Sequence, residues 1–166
     1  MATADNLKEA FAGESQANRR YLAFAKRAES DGFPMVAKLF RAIAEAETIH
    51  AHAHFRAMGG VQTTEENLKT AIEGERYEYQ EMYPKFLAQA EEEDHKGAAT
   101  AFKYAKAVEE VHHTLYQQAL QAVSGGADLP NQPIYVCDVC GHTLIGEPPE
   151  RCPVCGALRK RFFEVS

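Results

Sequence analysis

Cysteine is absent from residues 1–136 of this 166-residue chain, and all four cysteines fall between Cys137 and Cys155. No apolar run approaches the roughly 18 residues that a membrane span requires, so a soluble protein is expected. The N-terminus, Met1-Ala2-Thr3-Ala4-Asp5, has neither a basic start nor an apolar stretch, which argues against secretion and makes a cytoplasmic location the expectation. An excess of positive charge is also missing. The formal net charge of −6 gives no electrostatic reason to expect a nucleic-acid partner. The acidic surplus lies in residues 1–123, with 19 acidic against 14 basic side chains, while residues 134–166 balance at four and four. An ordinary acidic surface would give the same numbers, so charge alone decides nothing.

The chain does contain a twice-repeated pairing of a lone glutamate with Glu-x-x-His. Glu14 precedes Glu47-Thr48-Ile49-His50 by 33 residues, and Glu75 precedes Glu109-Glu110-Val111-His112 by 34. On a helix, side chains three residues apart lie on one side, so each Glu and its His point the same way. Four helices carrying these groups can place four carboxylates and two imidazoles around one point, the ligand set of two-metal carboxylate bundles. The neighbouring Glu110 and His113 point about 100° away and are expected at the surface. His52 and His54 diverge from His50, which speaks against an extra metal site there. Glu91-Glu92-Glu93-Asp94 reads as a solvated helix end.

The pattern predicts an all-α four-helix bundle followed by a small metal-binding module. Helices are expected over residues 4–30, 34–58, 63–93 and 95–123. Asp31-Gly32-Phe33-Pro34 and Gly59-Gly60 separate the first three, and Pro84 is expected to kink or break the third. Thr63 with Glu66 offers a capping box for that third helix. The halves repeat with a period of about 62 residues: Gly13-Glu14 aligns with Gly74-Glu75, and Phe40 with Phe102. Residues 1–123 form the expected bundle domain, 124–133 a Gly/Pro-rich linker, and 134–166 a module too short to support a core without a metal.

In that module the order is Cys137-Asp138-Val139-Cys140-Gly141, then Cys152-Pro153-Val154-Cys155-Gly156. Each C-x-x-C-G makes a tight knuckle, and four thiolates enclose a tetrahedral site that suits zinc or iron. A structural zinc ribbon explains the spacing as well as iron does. Metal would commit all four sulfurs, which leaves no peroxidatic cysteine. A redox-active dinuclear site needs a source of single electrons, which favours iron. The module resembles rubredoxin in Tyr135, Cys-Pro-x-Cys-Gly and Phe162-Phe163, with a shorter segment between the knuckles.

Four buried glutamates demand compensating cations, and two divalent ions supply four positive charges. Oxidation of both ions adds two more, which calls for a further anionic ligand. Glu78, three residues after Glu75 on the same helix face, is the candidate, a solvated glutamate being the alternative.

With these residues in place, the whole chain resembles the rubrerythrins, which join a ferritin-like di-iron domain to a rubredoxin-like Fe(Cys)4 module. The resemblance implies reduction of hydrogen peroxide to water, with electrons passing from NAD(P)H through a separate reductase or rubredoxin to the module's iron. It implies that Glu14, Glu47, Glu75, Glu109 and His112 hold iron in both oxidation states, Glu47 and Glu109 bridging. His50 and Glu78 would exchange as the ligands at which the chemistry turns. Cys137, Cys140, Cys152 and Cys155 would hold the third iron, zinc being able to replace it in recombinant protein. Tyr21 and Tyr83 either hydrogen-bond metal-bound carboxylates, as the family's bundle tyrosines do, or serve as aromatic packing. The family arrangement also implies a head-to-tail homodimer, in which the module of one subunit lies beside its partner's dinuclear site. Iron storage by a ferritin-like cage is the rival reading, and the appended module and Glu78 speak against it.

Overall fold

The computed structural model describes residues 2–166. Helix α1 spans Ala2–Ser30 and α2 spans Pro34–Ala57. A third helical stretch comprises α3 (Thr64–Tyr77), a π-helical turn (Glu78–Met82) and α4 (Tyr83–Glu92), and α5 spans Lys96–Ser124. Strands β1 (Ile134–Cys137), β2 (Thr143–Ile145) and β3 (Phe162–Glu164) form an antiparallel sheet in the order β2-β1-β3. The chain divides into two compact units, residues 2–62 and 63–166. No helix among the described residues is long and apolar enough to cross a membrane. The fold class is the expected one, a helical ferritin-like part with a small sheet-bearing cysteine module.

In the first unit α1 packs along α2 as a hairpin. Ala37, Ala44 and Ala51 repeat every seven residues on α2 and are all buried, as are Ala25 and Ala28 on α1. Such small side chains let two helix backbones approach closely, leaving room for larger groups where the ligands sit. Asn18 bolts the hairpin, its Nδ2 donating to the Ala44 carbonyl and to Thr48 Oγ1, both at 2.8 Å. Phe11 stacks on Phe55 with ring centroids 4.9 Å apart.

In the second unit α3 and α4 both pack on α5, burying Ile72, Ala90 and Val108. Thr63 caps α3 as expected: its hydroxyl accepts from the Glu66 amide, and the Glu66 carboxylate accepts from the Thr63 amide at 3.1 Å. His95 caps α5, with Nδ1 accepting from the Ala98 amide at 3.2 Å. Pro84 neither breaks nor sharply ends the third stretch. The helix widens just before it, the Tyr83 amide donating to the Glu78 carbonyl five residues back. Within this unit the module touches α5 through β2.

Candidate metal centres

The repeat extends beyond the ligands. Tyr21, Phe24 and Phe40 form an aromatic trio in the first unit, with centroids 5.7–6.3 Å apart. Tyr83, Phe86 and Phe102 form its counterpart in the second, at 5.6–6.4 Å. Every member is displaced by 62 residues, as are Glu47/Glu109 and His50/His112, whereas Glu14 and Glu75 are 61 apart. One extra residue therefore lies between Glu75 and Tyr83, and it falls within the π-helical turn. Such turns recur at functional sites, and this one begins at Glu78. The mismatch of one residue was the available sequence signal for it.

Each unit gathers one ligand set. In the first, oxygens of Glu14 and Glu47 and a ring nitrogen of His50 lie within 4.8 Å of one another. His50 Nδ1 is 3.0 Å from Glu47 Oε2 and 4.0 Å from Glu14 Oε1. In the second, Glu75, Glu109 and His112 cluster in the same way, with His112 Nδ1 2.8 Å from Glu109 Oε2 and 3.8 Å from Glu75 Oε2.

Electrostatics mark the second set as built for a cation. Burial, and then the neighbouring Glu109, push the Glu75 carboxyl up to about 7 from its ordinary 4.5. Glu78 is raised by the same causes in the same order. His112 is raised, chiefly by its hydrogen bond to Glu109. Tyr83 is raised by burial and then by Glu78, Glu109 and Glu75, which places its phenol among these carboxylates. Tyr83 thus combines packing with proximity to the ligand set. Crowded acidic groups that hold protons at the expense of charge are relieved by a divalent ion, so the donor set fits a metal.

The four cysteines form the other cluster. Cys137 Sγ and Cys155 Sγ are 3.7 Å apart, and Cys140 Sγ and Cys152 Sγ 3.6 Å. Metal–sulfur bonds of about 2.3 Å in a tetrahedron require sulfurs ~3.8 Å apart, so the cage has the right size. Cys137 and Cys152 are buried and pack with Phe162 as the module's core, flanked by Tyr135. The Gly141 and Gly156 amides donate to the carbonyls of Cys137 and Cys152 at 2.8 and 2.9 Å, closing the two knuckles. Both glycines have positive φ, 84° and 75°, as those turns demand.

Other residues lie outside the clusters. His52 lines a surface cavity with Phe11, Asn18 and Phe55. Glu110 and residues 91–94 are exposed, as expected. His113, expected at the surface, is half-buried instead, because its ring packs on Tyr79 at 5.4 Å. The motifs gave no hint of Thr143, whose hydroxyl meets His112 Nε2 at 3.0 Å. They gave none of His142 either, which is buried with no partner for Nδ1 and held below its usual pKa by burial.

Helical hairpins that present Glu and Glu-x-x-His sets, joined to a four-cysteine cage, define a ferritin-like carboxylate metalloprotein with an appended thiolate site. Residues 5–120 match the family model described as Rubrerythrin, and residues 135–163 the one described as Rubrerythrin, rubredoxin-like domain. Rubrerythrin-2 of Clostridium acetobutylicum is 37% identical, over 96% of this chain and 95% of that protein. Nigerythrin of Nitratidesulfovibrio vulgaris is 34% identical, over 97% and 85%. A solved structure of nigerythrin in a partially reduced state matches with a TM-score of 0.59 at 32% identity, covering 98% of this chain and 86% of that one. The chain belongs to the rubrerythrin family. It carries that family's di-iron domain, with Glu/His ligand sites, and a four-cysteine site of the kind that takes iron.

Proposed function

We propose that this protein is a cytoplasmic oxidoreductase that reduces hydrogen peroxide to water. NAD(P)H would supply the electrons through a separate reductase or rubredoxin and then the cysteine module. The observation that carries this reading lies within one unit: the Glu75–Glu109–His112 set, with Glu78 beside it, is hydrogen-bonded through His112 to the module that holds the four cysteines. Each peroxide takes two electrons and two protons to give two waters, and bound iron would supply the one-electron steps.

The chain's own residues set the conditions for that chemistry. Glu14, Glu47, Glu75, Glu109, His50 and His112 are the proposed ligands of the two irons, and Glu47 and Glu109 the bridging ones. Glu78 supplies the extra carboxylate that an oxidised site requires, and it exchanges with His50. His50 suits that part, since its side chain is 55% exposed against 26% for His112. Tyr83, set among Glu78, Glu109 and Glu75, can donate its phenolic proton to a carboxylate. Tyr21 is its proposed counterpart in the first unit.

The domain reading stays as proposed from sequence: residues 1–123, a linker over 124–133, and the module over 134–166. A head-to-tail homodimer completes the proposal. Val36, Leu39 and Ile43 form an exposed apolar stripe on α2, which a second copy would cover. The test is metal analysis of the purified protein combined with NADH-driven peroxide consumption in the presence of a rubredoxin-type reductase. Consumption that needs both the iron and the reductase is expected. Iron-loaded, reduced protein that peroxide fails to oxidise would overturn the reading.

A further inference from the structure

The two Glu-x-x-His histidines are held unequally. His50 has Glu47 and Glu14 on its Nδ1 side, and among the described residues nothing bonds its Nε2. His112 has Glu109 and Glu75 on its Nδ1 side and Thr143 Oγ1 3.0 Å from its Nε2. The Thr143 hydroxyl carries one proton, which it donates to the Gly141 carbonyl at 3.0 Å. A carbonyl only accepts, so that proton is committed, and Oγ1 meets the imidazole as an acceptor. Nε2 of His112 therefore keeps its proton, and Nδ1, whose proton bonds Glu109 in the metal-free chain, is the nitrogen left for a metal to take.

The support behind Thr143 is rigid. Thr143 belongs to β2, where it pairs with Val136 of β1. Gly141 follows Cys140 directly, holds φ at +84° and donates its amide to the Cys137 carbonyl at 2.8 Å. A Cβ at Gly141 would come within 3.8 Å of Val108 on α5, so the knuckle lies close against the helix that carries Glu109 and His112.

We propose that Thr143 is a positioning residue for His112: its hydroxyl, held by the Gly141 carbonyl of the cysteine knuckle, fixes the Nε2–H tautomer and aims Nδ1 at the metal of the Glu75–Glu109 set. The cysteine module thereby orients a ligand of the helical site on its own chain. His50 has no such hydroxyl on its Nε2 among the described residues. The fixed histidine and the exchangeable one are set apart by this single hydroxyl. The inference rests on the metal reading of the Glu75–Glu109–His112 set.

The test compares the full chain with Thr143→Val, which keeps the shape and removes the hydroxyl, and Thr143→Ser, which keeps the hydroxyl. Proteins given one equivalent of zinc, which fills the four-thiolate cage and leaves the helical sites empty, are diamagnetic, so long-range proton–nitrogen NMR correlations at a pH where His112 is neutral report its tautomer directly. A single Nε2–H form is expected in the wild type and in Thr143→Ser, and its loss in Thr143→Val. Zinc titration of the helical sites should show affinity 10–100-fold weaker in Thr143→Val, the usual effect of removing a partner of a metal-bound histidine, with rescue by Thr143→Ser. Occupancy of the four-cysteine cage should not change. An unaltered tautomer and affinity in Thr143→Val, or a loss that Thr143→Ser fails to restore, would overturn the proposal. A wild-type chain whose helical residues bind no metal would instead overturn the proposed function itself.

Discussion

The Tyr83 amide donates its hydrogen bond to the carbonyl of Glu78, five residues back, where an α-helix would use that of Tyr79, four back. This single π-helical turn absorbs the extra residue that separates Glu75 from Tyr83 when the second repeat is compared with the first. Deleting the exposed Gln80 should therefore restore the seven-residue spacing that Glu14 and Tyr21 already show. The deletion variant is expected to fold, with helical circular dichroism retained and metal content near that of the wild type. A chain that loses its helical signal on deletion would show that the turn is not an accommodated insertion.

Much of this architecture is legible in the sequence because it is written in spacings. Glu and His three residues apart must share a helix side, and C-x-x-C-G must turn, whatever surrounds them. The capping box at Thr63 is equally local, and it forms as expected. The π-helical turn is hidden because Pro84 by itself signals a kink or a break, although the 61-against-62 mismatch in the repeat points to an insertion. His113 escaped because a helical wheel gives direction but not what a neighbouring helix presents, here the ring of Tyr79. Thr143 could not be found at all: its contact with His112 spans 31 residues and depends on where β2 meets α5.

Glu78 is the residue on which the peroxide chemistry is expected to turn. Its carboxyl is raised by burial and by Glu109 and drawn back by His112, so it lies within electrostatic reach of the ligand set. Glu78→Ala should keep the fold and the metal, since the six paired Glu and His ligands remain. Oxidation of the reduced protein by peroxide should slow by about tenfold or more, the range seen when a supporting ligand is lost. Stopped-flow single-turnover oxidation checks this, and an unchanged rate would sink the exchange of Glu78 with His50.

The acid–base behaviour of the metal-free protein follows from Glu75. Its pKa is raised from 4.5 to about 7 in the folded chain, so the folded state binds the proton more tightly than the unfolded one. The stabilisation this gives is complete below about pH 4.5 and is lost as pH rises through about 7. His112, also raised, adds a loss of the same sign as pH climbs through its own folded value. Metal-free Glu75→Gln, which cannot ionise there, should show a flatter decline in urea midpoint over that window. Metal binding requires the ionised carboxylate, so loading of this set should release a proton and weaken as pH falls below about 7. A variant whose pH slope matches the wild type would refute the assignment.

The cysteine module should depend on its metal for its fold, whereas the helices should not. Its core is Cys137, Cys152 and Phe162, and its strands are four, three and three residues long. So little buried apolar surface cannot offset the entropy of ordering the segment, and the metal–thiolate bonds must supply the difference. The helical hairpins bury small and aliphatic residues of their own, Ala37, Ala44 and Ala51 in the first and Ile72 and Val108 in the second, and pack aromatic trios between their helices. Cys152→Ser removes one thiolate from the cage. Hydrogen exchange should then lose protection at the amides of β1, β2 and β3, while α1 and α2 keep theirs. Protection that persists across β1 in the metal-free variant would mean that the sheet stands without its metal.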